Sequence, residues 1–226
     1  MPVAFLCDFD GTAAPADIGA SFVRRFSPVP EERRHDLLER WKRGDLGSRD
    51  LTLAECEGLA ASEQDALEFA RRFRLDDAFA PFVREARGRG DAVMVVSDGF
   101  DFYVRDHLER AGLGDLPWAA NRTSFEDGRF ALEFPYFDSG CGRCGNCKAQ
   151  HVRRYQALGY FTVMVGDGYS DRCGAEAADA VLARGGLLAW CEQRGLAAQA
   201  FDTFADVADL GRQLSSGSGP VRKGAR

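Results

Sequence analysis

Three short apolar runs, Val3-Ala-Phe-Leu-Cys7, Ala92-Val-Met-Val-Val96 and Phe161-Thr-Val-Met-Val165, are continuous where a half-buried strand would alternate with polar residues. Runs of this length, rich in branched side chains, fit strands covered on both faces, as inside a parallel sheet flanked by helices. Each run stops at a polar cluster: Asp8-Phe-Asp-Gly-Thr12, Ser97-Asp-Gly99 and Gly166-Asp-Gly-Tyr-Ser-Asp171. Open parallel sheets bind ligands just beyond the carboxyl ends of their strands, so the three clusters are expected to meet in one crevice. Helical patterns from Asp101 to Ala111 and from Cys147 to Leu158 supply a βαβ alternation, and the expected fold is α/β, a doubly wound parallel sheet. Further strands are expected at Trp118 to Asn121 and Ala180 to Ala183. A hairpin should join Thr123-Ser-Phe to Arg129-Phe-Ala-Leu across Glu126-Asp-Gly128, because Asp-Gly supplies the positive-φ residues of a tight turn.

Residues 14–77 contain no comparable run but do contain helical stretches, Glu31 to Lys42 and Ser62 to Phe73. They predict a small inserted α-helical cap over the crevice, with the catalytic core formed by 1–13 and 78–214. The Gly/Ser-rich stretch Ser215-Ser-Gly-Ser-Gly-Pro220 and the basic residues after it predict a disordered tail over 215–226. The first ten residues lack a basic segment and their apolar run is cut by Asp8, which does not fit a signal peptide. No stretch approaches the roughly 18 apolar residues that span a bilayer. A cytoplasmic location with no membrane partner is the expectation, and monomer or homodimer both stay open. The net charge of −6 disfavours nucleic acid as a partner, since such binding needs a basic surface to displace counterions.

Asp8 and Asp10 are two residues apart, so in extended chain they share a side, and Gly11 lets the chain turn beside them. Two carboxylates at the end of an apolar strand are costly unless a cation or proton compensates them; a solvated loop or a helix cap is the plainer alternative. Ser97 can donate its hydroxyl to a phosphate oxygen, and Asp98 and Gly99 can offer backbone N–H groups near the start of the next helix. Asp167 and Asp171, four residues apart, suit a hard ion such as Mg2+.

In this order and at these strand ends, the motifs resemble those of the haloacid dehalogenase-like phosphohydrolases, over roughly residues 3 to 214. The resemblance implies a Mg2+-dependent phosphomonoester hydrolase that acts on a small phosphorylated metabolite through an aspartyl-phosphate on Asp8. It makes Asp8 the nucleophile and a metal ligand, and Asp10 the general acid and base, lending its backbone carbonyl to the metal. Ser97 then binds the transferring phosphoryl group, Lys148 neutralises it, and Asp167 coordinates Mg2+ with Asp171 supporting the site. The helical insertion resembles the cap of the phosphoserine phosphatase branch. Asp17 stands at the spacing of that branch's acidic residue, which reads a substrate amine; capping a first helix near Ile18 is the other reading. The stretch from Lys148 through Ala183-Arg184, with Leu187-Leu-Ala-Trp-Cys191, is similar to the methionine-salvage phosphatases of the same branch. Ser97-Asp-Gly99 departs from the Ser-Gly-Gly of phosphoserine phosphatases, which weighs against serine phosphate. A phosphotransferase or mutase would share the aspartyl-phosphate, and a non-catalytic module binding a phosphometabolite is the alternative from another class.

Seven cysteines are an odd number, and three of them fall within Cys141-Gly-Arg-Cys144-Gly-Asn-Cys147. If a helix begins near Cys147, that residue and His151 share a face, giving four ligands for a structural, tetrahedral Zn2+ one residue ahead of Lys148. An iron–sulfur cluster has related spacing but would not take the histidine so readily. A glycine-rich loop of reduced thiols, or with one short disulfide, also stays open.

Overall fold

The structure is a computed structural model and describes residues 2–126 and 128–215. Seven strands form one sheet in the order β4-β3-β2-β1-β5-β6-β7. They are β1 (Val3–Cys7), β2 (Ala92–Phe100), β3 (Trp118–Glu126), β4 (Arg129–Glu133), β5 (Phe161–Gly166), β6 (Ala180–Ala183) and β7 (Gln199–Ala200). All neighbours pair in parallel except β3 and β4, the expected hairpin, in which Thr123 faces Leu132 and Glu126 faces Arg129. Gly128 takes φ 74° in its turn; Asp127 lies outside the described residues, as does the expected tail beyond Ser215.

The continuous apolar runs are explained by burial on both faces. Every residue of β1 is buried, and successive side chains serve opposite layers, as the period of two requires. Val3, Phe5 and Cys7 join a core with α5 (Phe79–Gly88), α6 (Asp101–Arg110) and α10 (Phe204–Ser215). Ala4 and Leu6 join a second core with α7 (Lys148–Ala157), α8 (Arg172–Ala177) and α9 (Gly185–Arg194). Phe5 is wholly buried with Phe82 edge-on at 5.2 Å, and burying such a ring stabilises the fold by about 2–3 kcal/mol.

Between β1 and α5 the chain forms α1 (Ile18–Phe26), α2 (Glu31–Arg43), α3 (Ser48–Glu55) and α4 (Glu63–Ala70), with no strand among them. Phe22 of α1 fastens this group to the sheet side: its ring lies 5.9 Å from Phe100, 5.2 Å from Phe102 and 5.6 Å from Phe130. From β1 the chain lays down β2 and β3 on one side and returns to place β5 on the other, so the order reverses between β1 and β5. Cys7 pairs with Val165 there, and the Asp8 N–H donates to the Val165 carbonyl at 2.9 Å. The residues that follow β1 and β5 are thereby set side by side at the switch point.

Candidate active site

Asp8, the first residue past β1, is 5% exposed, and its Oδ1 accepts from Lys148 Nζ at 2.5 Å. Lys148 opens α7, is wholly buried, and also donates to Asp171 Oδ1 and, at 3.2 Å, to Ser170 Oγ. Burial works against the ammonium charge, but the Asp171 and Asp8 carboxylates outweigh it and hold Lys148 above the ordinary lysine range. Burial pushes the Asp8 carboxyl well up, and Asp171 adds to the push while Lys148 opposes it.

Asp171 is fully buried, and its second oxygen takes the N–H groups of Asp167 and Gly168, each at 2.9 Å. It thus shapes the turn that presents Asp167. Asp167 accepts from Thr12 Oγ1 at 2.9 Å, and its proton affinity is raised by burial and by Asp171. Carboxylate oxygens of Asp8, Asp167 and Asp171 lie within 4.8 Å of one another, close enough to serve one cation. Gly11 has φ 75°, and a Cβ there would stand 2.5 Å from Asp167 Oδ2, so the motif needs glycine for both conformation and space.

Asp10 turns away from that trio toward α1. Its Oδ1 takes the N–H groups of Ile18 at 2.8 Å and Gly19 at 3.3 Å, and its Oδ2 takes the Tyr103 hydroxyl at 2.5 Å. Burial raises Asp10 to about 7, Asp17 adds to the rise, and the Tyr103 hydroxyl and the two amides oppose it. A carboxyl poised there can both give and take a proton near neutral pH.

The helix α6 starts at Asp101, as expected, and β2 continues through Phe100, so Asp98 and Gly99 sit on extended chain just ahead of the helix. The Gly99 N–H donates to Ser97 Oγ at 2.9 Å, and Ser97 Oγ lies 3.5 Å from Asp10 Oδ2. The Asp98 carboxylate takes the Asn146 N–H at 2.8 Å, which ties the loop before α7 to the end of β2. A Cβ on Gly99 would stand 1.8 Å from the Tyr103 hydroxyl, so only glycine fits.

Asp17 is the N-cap of α1, its Oδ1 accepting the Ala20 N–H at 2.7 Å. It also lines a cavity of about 260 Å³ that opens over Asp8, Asp10, Asp98, Gly99 and Asp167, so the three clusters do meet in one crevice. The far wall comes from α1 to α3 and mixes Val23, Leu38 and Leu51 with Arg24, Arg34 and Glu55. Burial lifts Glu55 to about 7 against the pull of Arg34.

His151 does not join the cysteines. Cys147 is the N-cap of α7 with extended backbone, φ −73° and ψ 99°, so its side chain leaves the helical face that His151 occupies. The His151 Nε2 instead pairs with Asn146 Oδ1 at 2.8 Å, and since Asn146 Nδ2 donates to the Ser97 and Ala119 carbonyls, the imidazole nitrogen is the donor. The Sγ atoms of Cys141, Cys144 and Cys147 do lie together, with Cys173 joining from α8.

Thr12, Tyr103, Asn146 and Cys173 join these clusters without standing among the residues expected from the sequence. Thr12 stands inside the first motif and was open to notice. The other three act across 93, 49 and 29 residues, with no local pattern to mark them.

The sequence pattern of the haloacid dehalogenase-like hydrolases matches residues 5–176. The chain belongs to this family. Among haloacid dehalogenase-like relatives, the 2-hydroxy-3-keto-5-methylthiopentenyl-1-phosphate phosphatase of Brevibacillus brevis is 30% identical over 94% of this chain and 96% of its own. The protein of the same name from Exiguobacterium sibiricum is 31% identical over 92% and 96%. A solved structure described as a phospho-aspartyl intermediate analogue of phosphoserine phosphatase superposes with a TM-score of 0.72, covering 92% of this chain and 98% of that one at 21% identity. This last likeness concerns the fold. The chain is an enzyme of the phosphatase class, a hydrolase of phosphoric monoesters. No helix among the described residues is long and apolar enough to cross a membrane.

Proposed function

We propose that this phosphatase hydrolyses a small phosphorylated metabolite by transferring the phosphoryl group to Asp8, with Mg2+ held by Asp8, Asp167 and the Asp10 carbonyl and with Asp171 in support. One observation carries the reading: the Asp8 carboxylate stands at the switch point with Lys148 Nζ against one oxygen and Asp167 and Asp171 within 4.8 Å. Three crowded carboxylates with a single buried ammonium leave a negative excess, and their oxygens are the donors a hard divalent ion takes, so the residues fit the metal. When bound, Mg2+ supplies charge neutralisation for the phosphoryl oxygens.

The chain's own groups account for the rest. An Asp8 oxygen attacks phosphorus as the ester P–O bond breaks, and Asp10 gives its proton to the departing oxygen. Tyr103 and the Ile18 and Gly19 amides aim that carboxyl. Asp10 then takes a proton from water, which attacks the acyl-phosphate and frees Asp8 and inorganic phosphate. Lys148 holds Asp8 in line and offsets charge beside it, and in this reading the Ser97 hydroxyl binds a phosphoryl oxygen.

For the substrate, the helices α1 to α4 act as the cap, and their mixed wall of Leu38, Leu51, Arg24 and Glu55 suits a short polar chain with an apolar end. That character agrees with the 2-hydroxy-3-keto-5-methylthiopentenyl-1-phosphate named for the relatives, and we favour it over serine phosphate. The test is phosphate release from a panel of small phosphomonoesters, with and without Mg2+. The methylthio-enol phosphate should turn over best, and chelator should silence the enzyme until Mg2+ is restored. Full activity in chelator would remove the metal from the account, and a clear preference for phosphoserine would remove the proposed substrate.

A further inference from the structure

The loop from Phe137 to Cys147 carries no helix or strand, yet it delivers Asn146 and Lys148 to the site. It also reaches the helical insertion, where the Arg143 carbonyl accepts the Ser48 N–H at the start of α3. A Cβ on Gly47 would stand 2.8 Å from that carbonyl, so the contact is tight. Little apolar material holds such a loop in place. The cluster beneath it consists of Cys144, Cys147 and Ala149, with Cys141, Cys173 and Ala177 packed against them. A long loop with so small a core needs another staple.

The sulfur geometry supplies one. Cys141, Cys144, Cys147 and Cys173 all carry free thiols. Cys141 Sγ and Cys144 Sγ are 3.7 Å apart, and Cys144 Sγ and Cys173 Sγ are 3.6 Å apart. These separations exceed by far the roughly 2.05 Å of a disulfide bond. They match the edge of a tetrahedron of thiolates around one zinc, about 3.8 Å for metal–sulfur bonds of about 2.3 Å. Cys147 Sγ lies within 4.8 Å of both Cys141 and Cys144. Arg143 and Arg172 line the cleft beside Cys144 and Cys173, where they offset the negative charge of four thiolates around a divalent ion.

We propose that Cys141, Cys144, Cys147 and Cys173 bind one structural zinc ion, with Cys173 in the place that the sequence spacing suggested for His151. Binding converts four thiols to thiolates and releases their protons, with no change in oxidation state. Cys141, Cys144 and Cys147 lie mutually within 4.8 Å and Cys173 reaches the group through Cys144 at 3.6 Å, and four thiolate donors favour zinc among the common divalent ions. The ion pins the loop to α8 and so fixes Lys148 from one side and the α3 contact from the other. It is a second metal centre, separate from the carboxylates around Asp8.

The test is elemental analysis of the untagged, full-length protein after exhaustive dialysis, beside a titration of accessible thiols. About one zinc per chain is the expected result, with the four thiols protected until a mercurial releases the metal. Cys173→Ser should lose the zinc and His151→Gln should keep it. Should Cys173→Ser fail to fold, growth of the wild type in cobalt gives an independent readout, since thiolate-bound tetrahedral Co2+ shows sulfur-to-cobalt charge transfer and intense visible bands. Folded wild type without zinc overturns the proposal, whether its thiols are free or paired in a disulfide. So does a stoichiometric iron content, and so does His151→Gln losing the metal while Cys173→Ser retains it.

Discussion

Lys148 Nζ lies between the carboxylates of Asp8 and Asp171 with no solvent contact. A buried ammonium held by two carboxylates is worth little against an apolar substitute, but removing it alone leaves the carboxylates facing each other uncompensated. Lys148→Met should therefore lower stability by about 3–5 kcal/mol in urea unfolding and cut turnover at least ~100-fold. A variant with wild-type midpoint and rate would make the lysine a bystander. At this scale the chain was legible wherever chemistry and position coincide in a short motif. Asp8, Asp10, Gly11 and Asp167 stand at strand ends that the apolar runs already marked. Tyr103 was not legible, because its hydroxyl reaches Asp10 from the helix after β2, and nothing in Phe102-Tyr-Val104 distinguishes it from core. Cys173 was hidden for the same reason, 29 residues from its partner.

Elements set where these side chains point. The second apolar run ends at Val96, yet β2 continues to Phe100 because Asn121 of β3 pairs beside it after an irregularity in register. On that extension the Asp98 carboxylate is anchored against the Asn146 N–H. The start of α7 mattered equally: with Cys147 as its cap, His151 faces inward, 4% exposed, against Asn146 and the Tyr136 ring at 5.1 Å. Burial lowers His151 to about 4, and Arg154 and Lys148 add to the fall. The sign follows from proton uptake. Below the ordinary histidine value near 6.5 the unfolded imidazole gains a proton that the folded one refuses, so stability is complete above that pH and declines as pH falls toward 4. The loss should reach roughly 2 kcal/mol at about pH 5, from 1.4 kcal/mol per pH unit over the window. His151→Gln can still donate to Asn146 and should remove that slope when urea midpoints are compared at about pH 7.5 and 5. An unchanged slope would mean that the ring is solvated or protonated in the folded protein.

For the molecule as a whole, function follows from topology. Reversal of strand order between β1 and β5 brings Asp8 beside Asp167, and the helices α1 to α4, inserted directly after the first motif, close the cavity over them. The sheet and the hairpin were readable from continuous apolar runs and an Asp-Gly turn. Strand β7, two residues long, was not, because it carries too little pattern to separate it from a loop. The make-up of the cavity's far wall was also out of reach, since Arg24, Arg34 and Glu55 come together only when three helices pack. The central claim is that Asp8 carries the phosphoryl group, and rapid-quench mass spectrometry during turnover tests it most directly. The wild type should show one added phosphoryl group on the peptide containing Asp8, and Asp8→Asn should remain folded, show none, and fall to background phosphatase activity. A phosphoryl group on another residue, or an Asp8→Asn enzyme that retains a substantial share of the wild-type rate, would contradict it.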